Sequence, residues 1–307
     1  MGLTLFSVIH FGSLSRLSSM ICSIRSTVAV LALPAAMLFA LPLQAQQDFS
    51  NVEIIAHHVA GNMYYLQGAG GNIGLSIGED GVVMVDDQFA PLTERIVAAI
   101  AELNDGDIRF VINTHVHGDH TGGNENLGRM GIDILARDEV RLRLAEQTSG
   151  LALPVLTFDG NITIHLNGEE VHVFAVPPAH TDGDSFIHFR GSDVIHAGDV
   201  FRTTSFPFID LTNGGTLDGT VAALGMLVGR AGPDTRIVPG HGEVSSRADV
   251  MEFRDMIIET ANAVKSMIGQ GMDYGQVAAA DPTAAWNDRY GDPERFLSAV
   301  YSELGGQ

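Results

Sequence analysis

The sequence predicts an α/β protein made of two similar halves packed face to face. Three observations carry this. Strand-like runs separated by glycine turns begin near residue 52 and give way to an amphipathic helix. A short buried strand then ends in a loop crowded with histidines. The order of strands, helix, strand and helices recurs once, with no clear linker in between.

The first half opens with Val52 to Val59, Met63 to Gln67, Asn72 to Ile77 and Val82 to Val85, which alternate as an antiparallel meander should. Pro91 to Leu103 reads as a helix, with Leu92, Ile96, Val97, Ile100 and Leu103 on one face. Arg109 to Asn113 is a buried strand. Its C-terminal end is the kind of edge where open α/β sheets place ligand sites. Glu125 to Met130 and Asp138 to Gln147 are helical. Val155 to Ala197 is rich in strands. Thr216 to Val228 is a helix, Arg236 to Val238 a strand, and Arg247 to Ile268 an amphipathic helix. Met251, Met256 and Met267 on that last helix read as core filler. Two more short helices are expected between Tyr274 and Leu304.

Residues 1–45 read as an export signal. Arg25 precedes an apolar stretch from Val28 to Leu43, broken by Pro34, and Leu43-Gln44-Ala45 offers a cleavage site. Met20 is an alternative start. A retained anchor is the competing reading, but the stretch is short for a membrane span and contains prolines. The expected mature chain is a single domain over 46–307, with C-terminal helices from about residue 247. It is expected in the periplasm or secreted, with no stable membrane anchor. The lone cysteine, Cys22, falls in the signal, so neither disulfide nor thiolate chemistry is expected of the mature chain. The formal charge of −20 argues against nucleic acid as a partner, because a polyanion repels phosphate backbones.

The segment Thr114-His115-Val116-His117-Gly118-Asp119-His120 packs three imidazoles and one carboxylate into six residues. Folding does not require that density. Neutral imidazole and carboxylate are the donors that zinc prefers. His115 and His117 point the same way in an extended or loop backbone and can share one ion, while Asp119 and His120 can aim at a second. Three further donors each follow a strand-like run: His180, Asp199 and His241.

This pattern, with Ala179-His180-Thr181, Gly198-Asp199 and Pro239-Gly240-His241-Gly242 in order, resembles the metallo-β-lactamase fold superfamily over roughly residues 52–245. The resemblance implies a four-layer αβ/βα sandwich with two zinc ions at one edge. It implies that His115, His117 and His180 hold the first ion, that Asp119, His120 and His241 hold the second, and that Asp199 bridges them. Thr114 and either Asp86 or Asp87 would orient ligating imidazoles. The chemistry implied is hydrolysis by hydroxide made available at neutral pH, with Asp119 orienting the nucleophile and helping a proton reach the leaving group.

Fold does not choose a substrate. Export suits a β-lactamase, and the intervals from His180 to Asp199 and from Asp199 to His241 are similar to those of the cysteine-containing β-lactamase subclass. Arg202 stands where that subclass commonly has a lysine that binds the β-lactam carboxylate, and an arginine can clamp the same group. A surface salt bridge is the competing reading of Arg202. Asn213-Gly214-Gly215 resembles the loop that borders the substrate in those enzymes, and Asn-Gly is also an ordinary turn. Two features point elsewhere. Asp199 occupies the subclass cysteine position, as in glyoxalase II and the lactonases, and His120 stands where that subclass usually has arginine.

The expected activity is therefore opening of a cyclic amide in a small, carboxylate-bearing molecule. A thioester or lactone hydrolase is the alternative, and a non-catalytic exported metal-binding protein the second alternative. The Gly68-Ala69-Gly70-Gly71 turn is either a flap over the site or a plain hairpin turn. His57, His58, His165, His172, His188 and His196 lack motif support and read as strand or surface histidines.

Overall fold

The computed structural model describes residues 47–306; the expected export signal and cleavage site, Met20 and Cys22 lie outside them. Four antiparallel strands come first: β1 (Ile55–Ala60), β2 (Met63–Gln67), β3 (Ile73–Gly78) and β4 (Gly81–Val85). Helix α1 (Thr93–Leu103), led in by a 3-10 turn at Ala90–Leu92, crosses to β5 (Ile108–Ile112). The short helix α2 (Gly118–Thr121) carries Asp119 and His120 of the histidine segment, and α3 (Asn124–Arg129) follows it. Then come β6 (Asp133–Arg137), α4 (Asp138–Ala145) and β7 (Leu156–Phe158). β4 to β7 pair in parallel, which completes a seven-stranded sheet in sequence order.

The second sheet contains β8 (Asn161–Leu166), β9 (Glu169–Ala175), β10 (Ser185–Phe189), β11 (Val194–His196) and β12 (Arg236–Val238), in the order β12-β11-β10-β9-β8. Its β11–β12 pair is parallel, joined through α5 (Leu217–Arg230). The chain ends in α6 (Arg247–Gly269), α7 (Tyr274–Ala280), α8 (Asn287–Tyr290) and α9 (Glu294–Glu303). Ser246 and Asp249 start α6 with a reciprocal capping box.

Three apolar layers separate the four structural layers. Val83, Val85 and Ile112 of the first sheet face Val173, Ile187 and Val238 of the second, all fully buried. Leu75, Met84 and Val111, on the outer face of the first sheet, pack on Ile96 and Ile100 of α1. Phe186, Ile195 and Ile237, on the outer face of the second, pack on Leu224, Phe253 and Phe296. The result is the expected αβ/βα sandwich. Each such side chain contributes about 1.5–3 kcal/mol through burial.

Three expectations change. β6 is a strand that its sequence did not announce. The tail holds three short helices rather than two. Met256 is buried, whereas Met251 is exposed; five residues of helix turn it well away from the face that Met256 presents.

Candidate metal centre

β5 ends at Ile112, and the chain turns at once into Asn113 and Thr114, both buried. Asp86, directly after β4, adopts φ +62°. This left-handed turn aims its carboxylate at the start of the histidine loop. Oδ1 accepts from the Thr114 N–H at 2.7 Å, and Oδ2 accepts from the Thr114 hydroxyl at 2.8 Å. The same Oδ2 lies 2.7 Å from His120 Nδ1. Thr114 Oγ1 is also 2.9 Å from His115 Nδ1. Of the two acids considered as orienting groups, Asp86 holds the ligands' neighbourhood. Asp87 instead accepts from the Gly123 N–H.

The second half supplies the remaining donors from the ends of its own strands. His180 Nδ1 donates to the Phe208 carbonyl at 2.6 Å, so Nε2 faces inward, 2.8 Å from His117 Nδ1. His117 Nε2 is tied to Asp210 at 2.8 Å. Asp199 sits in a 3-10 turn after β11, entered through Gly198 at φ +48°, where a Cβ would lie 2.9 Å from Thr114. Asp199 Oδ1 is 3.1 Å from His120 Nε2 and 3.3 Å from His241 Nε2. Asp119 Oδ2 is 3.2 Å from His241 Nε2.

Asn72, at the entry to β3, joins the two halves beside these groups. Its side-chain amide donates to the carbonyls of Pro239 and Gly242, its N–H to Gly240, and its carbonyl accepts from His196 Nε2 at 3.0 Å. His196 is thus a satisfied core histidine.

All seven predicted donors converge. His115, His117 and His180 form one group, Asp119, His120 and His241 a second, and His115, His120 and Asp199 a third that links them. Within each group the donor atoms lie inside 4.8 Å of one another. Nε2 of His115, His120 and His241 and Oδ1 of Asp199 are buried with no hydrogen-bond partner. Buried polar atoms left this way are costly. Four of them turned toward one another fit divalent cations, and the outer nitrogens of His115, His117, His120 and His180 are each fixed by a hydrogen bond.

The electrostatics of His115 and His180 agree. Burial holds His115 well below the usual imidazole range, helped by His120 and His180, and holds His180 down to about 4 against the pull of Asp199. Both are neutral donors at pH 7. Burial opposes charge on Asp199 and His120 as well, but the two face each other and outweigh it. Asp199 lies well below the carboxylate range and His120, also beside Asp86, well above the imidazole range.

A cleft of about 590 Å³ opens over the centre, lined among others by His117, Asp119, Asp199, Arg202, Phe208 and Arg295. Arg202 pairs with Asp199 at 3.4 Å and is largely buried, so it belongs to the cleft rather than to an open surface. Asn213 also lines the cleft, with its amide donating to Asp210 at 2.6 Å. The Gly68–Gly71 turn is tied down: Gly71 donates to the Asp119 carbonyl, and its own carbonyl accepts from Gln88. Asp210, Phe208, Asn72 and Arg295 were not singled out from sequence. Asp210 opens a turn as an N-cap, a signal that conceals its contact with His117.

The sequence profile of the metallo-β-lactamase superfamily matches residues 66–241, more than half of the chain. The chain belongs to the metallo-β-lactamase superfamily. Two curated members of comparable size are similar to it. A hydroxyacylglutathione hydrolase from Nitrosococcus oceani is 31% identical over 211 residues, covering 64% of this chain and 68% of the relative. A metallo-β-lactamase type 2 from Bacillus cereus is 21% identical over 178 residues, covering 58% and 69%. Among solved structures, a metallo-β-lactamase from Pontibacter korlensis superposes with TM-score 0.59 at 17% identity, covering 67% of this chain and 99% of that one. That likeness concerns fold alone. This superfamily member is thus a hydrolase of small molecules. Its His/Asp groups are those of a metal centre, typically of zinc.

Proposed function

We propose that the chain is an exported binuclear zinc hydrolase that opens the cyclic amide of carboxylate-bearing β-lactams. The observation that carries this reading is the convergence of seven donors beneath a cleft in which Arg202 stands beside Asp199. His115, His117 and His180 would hold one ion and Asp119, His120 and His241 the other, with Asp199 between them. Two such ions supply a nucleophile at neutral pH and polarise the substrate carbonyl.

The chain's own residues do the rest. Burial raises the Asp119 carboxyl, but His241 and His120 outweigh it and hold the group down to about 2, so it is ionised. Its Oδ2 faces His241 among the metal donors, which leaves the other oxygen to accept a proton on the cleft and pass it to the leaving nitrogen. Asp210 keeps the His117 ring oriented through Nε2. Arg202 presents its guanidinium to the substrate carboxylate, and Asn213 borders the substrate. Phe89, Val116 and Phe208 form an apolar wall that limits water.

A second reading is hydrolysis of a thioester or lactone. It is favoured by a carboxylate at Asp199 and by the 31% identity to a hydroxyacylglutathione hydrolase.

Purified zinc-loaded protein separates the two when nitrocefin and a carbapenem are compared with S-lactoylglutathione and an acyl-homoserine lactone. β-Lactam turnover no faster than free zinc alone removes the first reading. Arg202→Ala is expected to raise KM for anionic substrates, and an unchanged KM removes its assigned role. Fractionation of cells expressing the full chain tests export.

A further inference from the structure

A second guanidinium reaches the same cleft from outside the region that the superfamily profile covers. Arg295 belongs to α9, near the C-terminus, and lines the cleft with His117, Asp119 and Arg202. Its Cζ lies 3.2 Å from the centroid of the Phe208 ring. The His117 ring stacks on Phe208 too, at 5.6 Å and 15°. The Phe208 ring thus contacts both groups. Arg295 is therefore positioned one aromatic ring away from a donor of the metal centre.

The helix that carries it is firmly held. Phe296, Leu297 and Val300 of α9 are buried in the core, and the Phe296 ring stacks on Phe206 at 5.6 Å. Arg295 itself is an exposed residue. Among the described residues the arginines paired with carboxylates are Arg129, Arg137, Arg143, Arg190, Arg202 and Arg289, and Arg295 is not one of them. Arg95 and Arg109, which also lack such a pair, instead donate to backbone carbonyls, whereas Arg295 stands on the cleft. Arg202, by contrast, already shares its charge with Asp199.

We propose that Arg295 is a specificity-determining residue that anchors an anionic group at the outer rim of the cleft. The preferred substrates are then acyl compounds with two anionic groups, one read by Arg202 near the reacting carbonyl and one read by Arg295 further out. Stacking on Phe208 leaves the guanidinium edge free for a bidentate contact. This rests on the hydrolytic reading of the cleft given above.

The test is calorimetric binding of glutarate and butyrate to the zinc-loaded protein, the parent chain against Arg295→Ala and Arg295→Lys, with zinc content and circular dichroism alongside. The parent is expected to prefer the dicarboxylate. Arg295→Ala should weaken glutarate about tenfold and leave butyrate unchanged, the size expected for one charge-assisted contact, and Arg295→Lys should keep part of the preference. Equal glutarate affinity in the parent and the alanine variant overturns the proposal, as does a parent that binds both acids alike or neither. Turnover of the acyl substrates is measured separately. An Arg295-dependent glutarate preference without any turnover removes the hydrolytic reading and keeps the anchor. Turnover without that preference does the reverse.

Discussion

Asp86 Oδ2 stands 2.7 Å from His120 Nδ1, with both side chains fully buried. The contact spans 34 residues of chain and depends on a left-handed backbone turn at Asp86. One carboxylate thereby fixes the His120 ring, the Thr114 hydroxyl and, through Thr114, His115.

Replacing that carboxylate by an amide keeps its shape and removes its charge. Asp86→Asn is expected to lower zinc affinity by about 10- to 100-fold, the usual cost of losing such a partner. Competition with a chromogenic chelator measures it, and an unchanged affinity would show that Asp86 serves the fold alone.

Stripping the ions exposes the buried donors to one another without partners. Chelation is expected to abolish turnover and to destabilise the chain by about 2.7 kcal/mol for each ion removed, relative to zinc at a hundred times its Kd. In thermal melts that is roughly 5–10 °C per ion for a domain of this size, recovered on adding zinc back. Identical melting curves with and without chelator would contradict it.

Gly71 touches the centre from the turn between β2 and β3. A Cβ there would lie 2.1 Å from His120 Cε1, too close for any side chain. Gly71→Ala should displace the ring, cost about 1–3 kcal/mol from overpacking and lower zinc stoichiometry. Elemental analysis of the folded variant is the readout, and full zinc retention would count against it.

Burial pushes the Asp184 carboxyl up to about 7, against the bonds it accepts from Thr181. In the unfolded chain it ionises near its ordinary value of 3.8. Between these values the folded chain binds more protons, so this group's contribution to stability falls as pH rises from about 4 to 7 and is level above that. Asp184→Asn should flatten that slope. Urea midpoints across pH 5–8 for both proteins test it, and parallel curves would show that Asp184 ionises normally.

The metal centre was legible because its chemistry restricts residue type. Only imidazole and carboxylate fill positions 115, 117, 119 and 120, and each later donor closes a strand-like run. Most elements were legible for a similar reason, since periodicity survives burial. β6 was not, because Asp133–Arg137 is short and buried on both faces, with Ile134 toward α1 and Leu135 toward the other sheet, so it lacks the alternation of a half-buried strand. The supporting contacts left no pattern. Asp86 and Asp87 are adjacent, and only the backbone turn decides which one faces His120. Asp210 meets His117 across 93 residues, and Arg295 reaches Phe208 from the last helix. Sequence spacing has no term for such meetings.

Asn72 gives the arrangement its tolerance. One amide side chain clasps the Pro239–Gly242 loop from the opposite sheet and, with the Ser185 N–H donating to the Thr114 carbonyl, sets how far the donors of one half stand from those of the other. The outer helices can accumulate substitutions and reshape the rim without altering that separation. New specificities can then evolve around an inherited reactive core that stays the same.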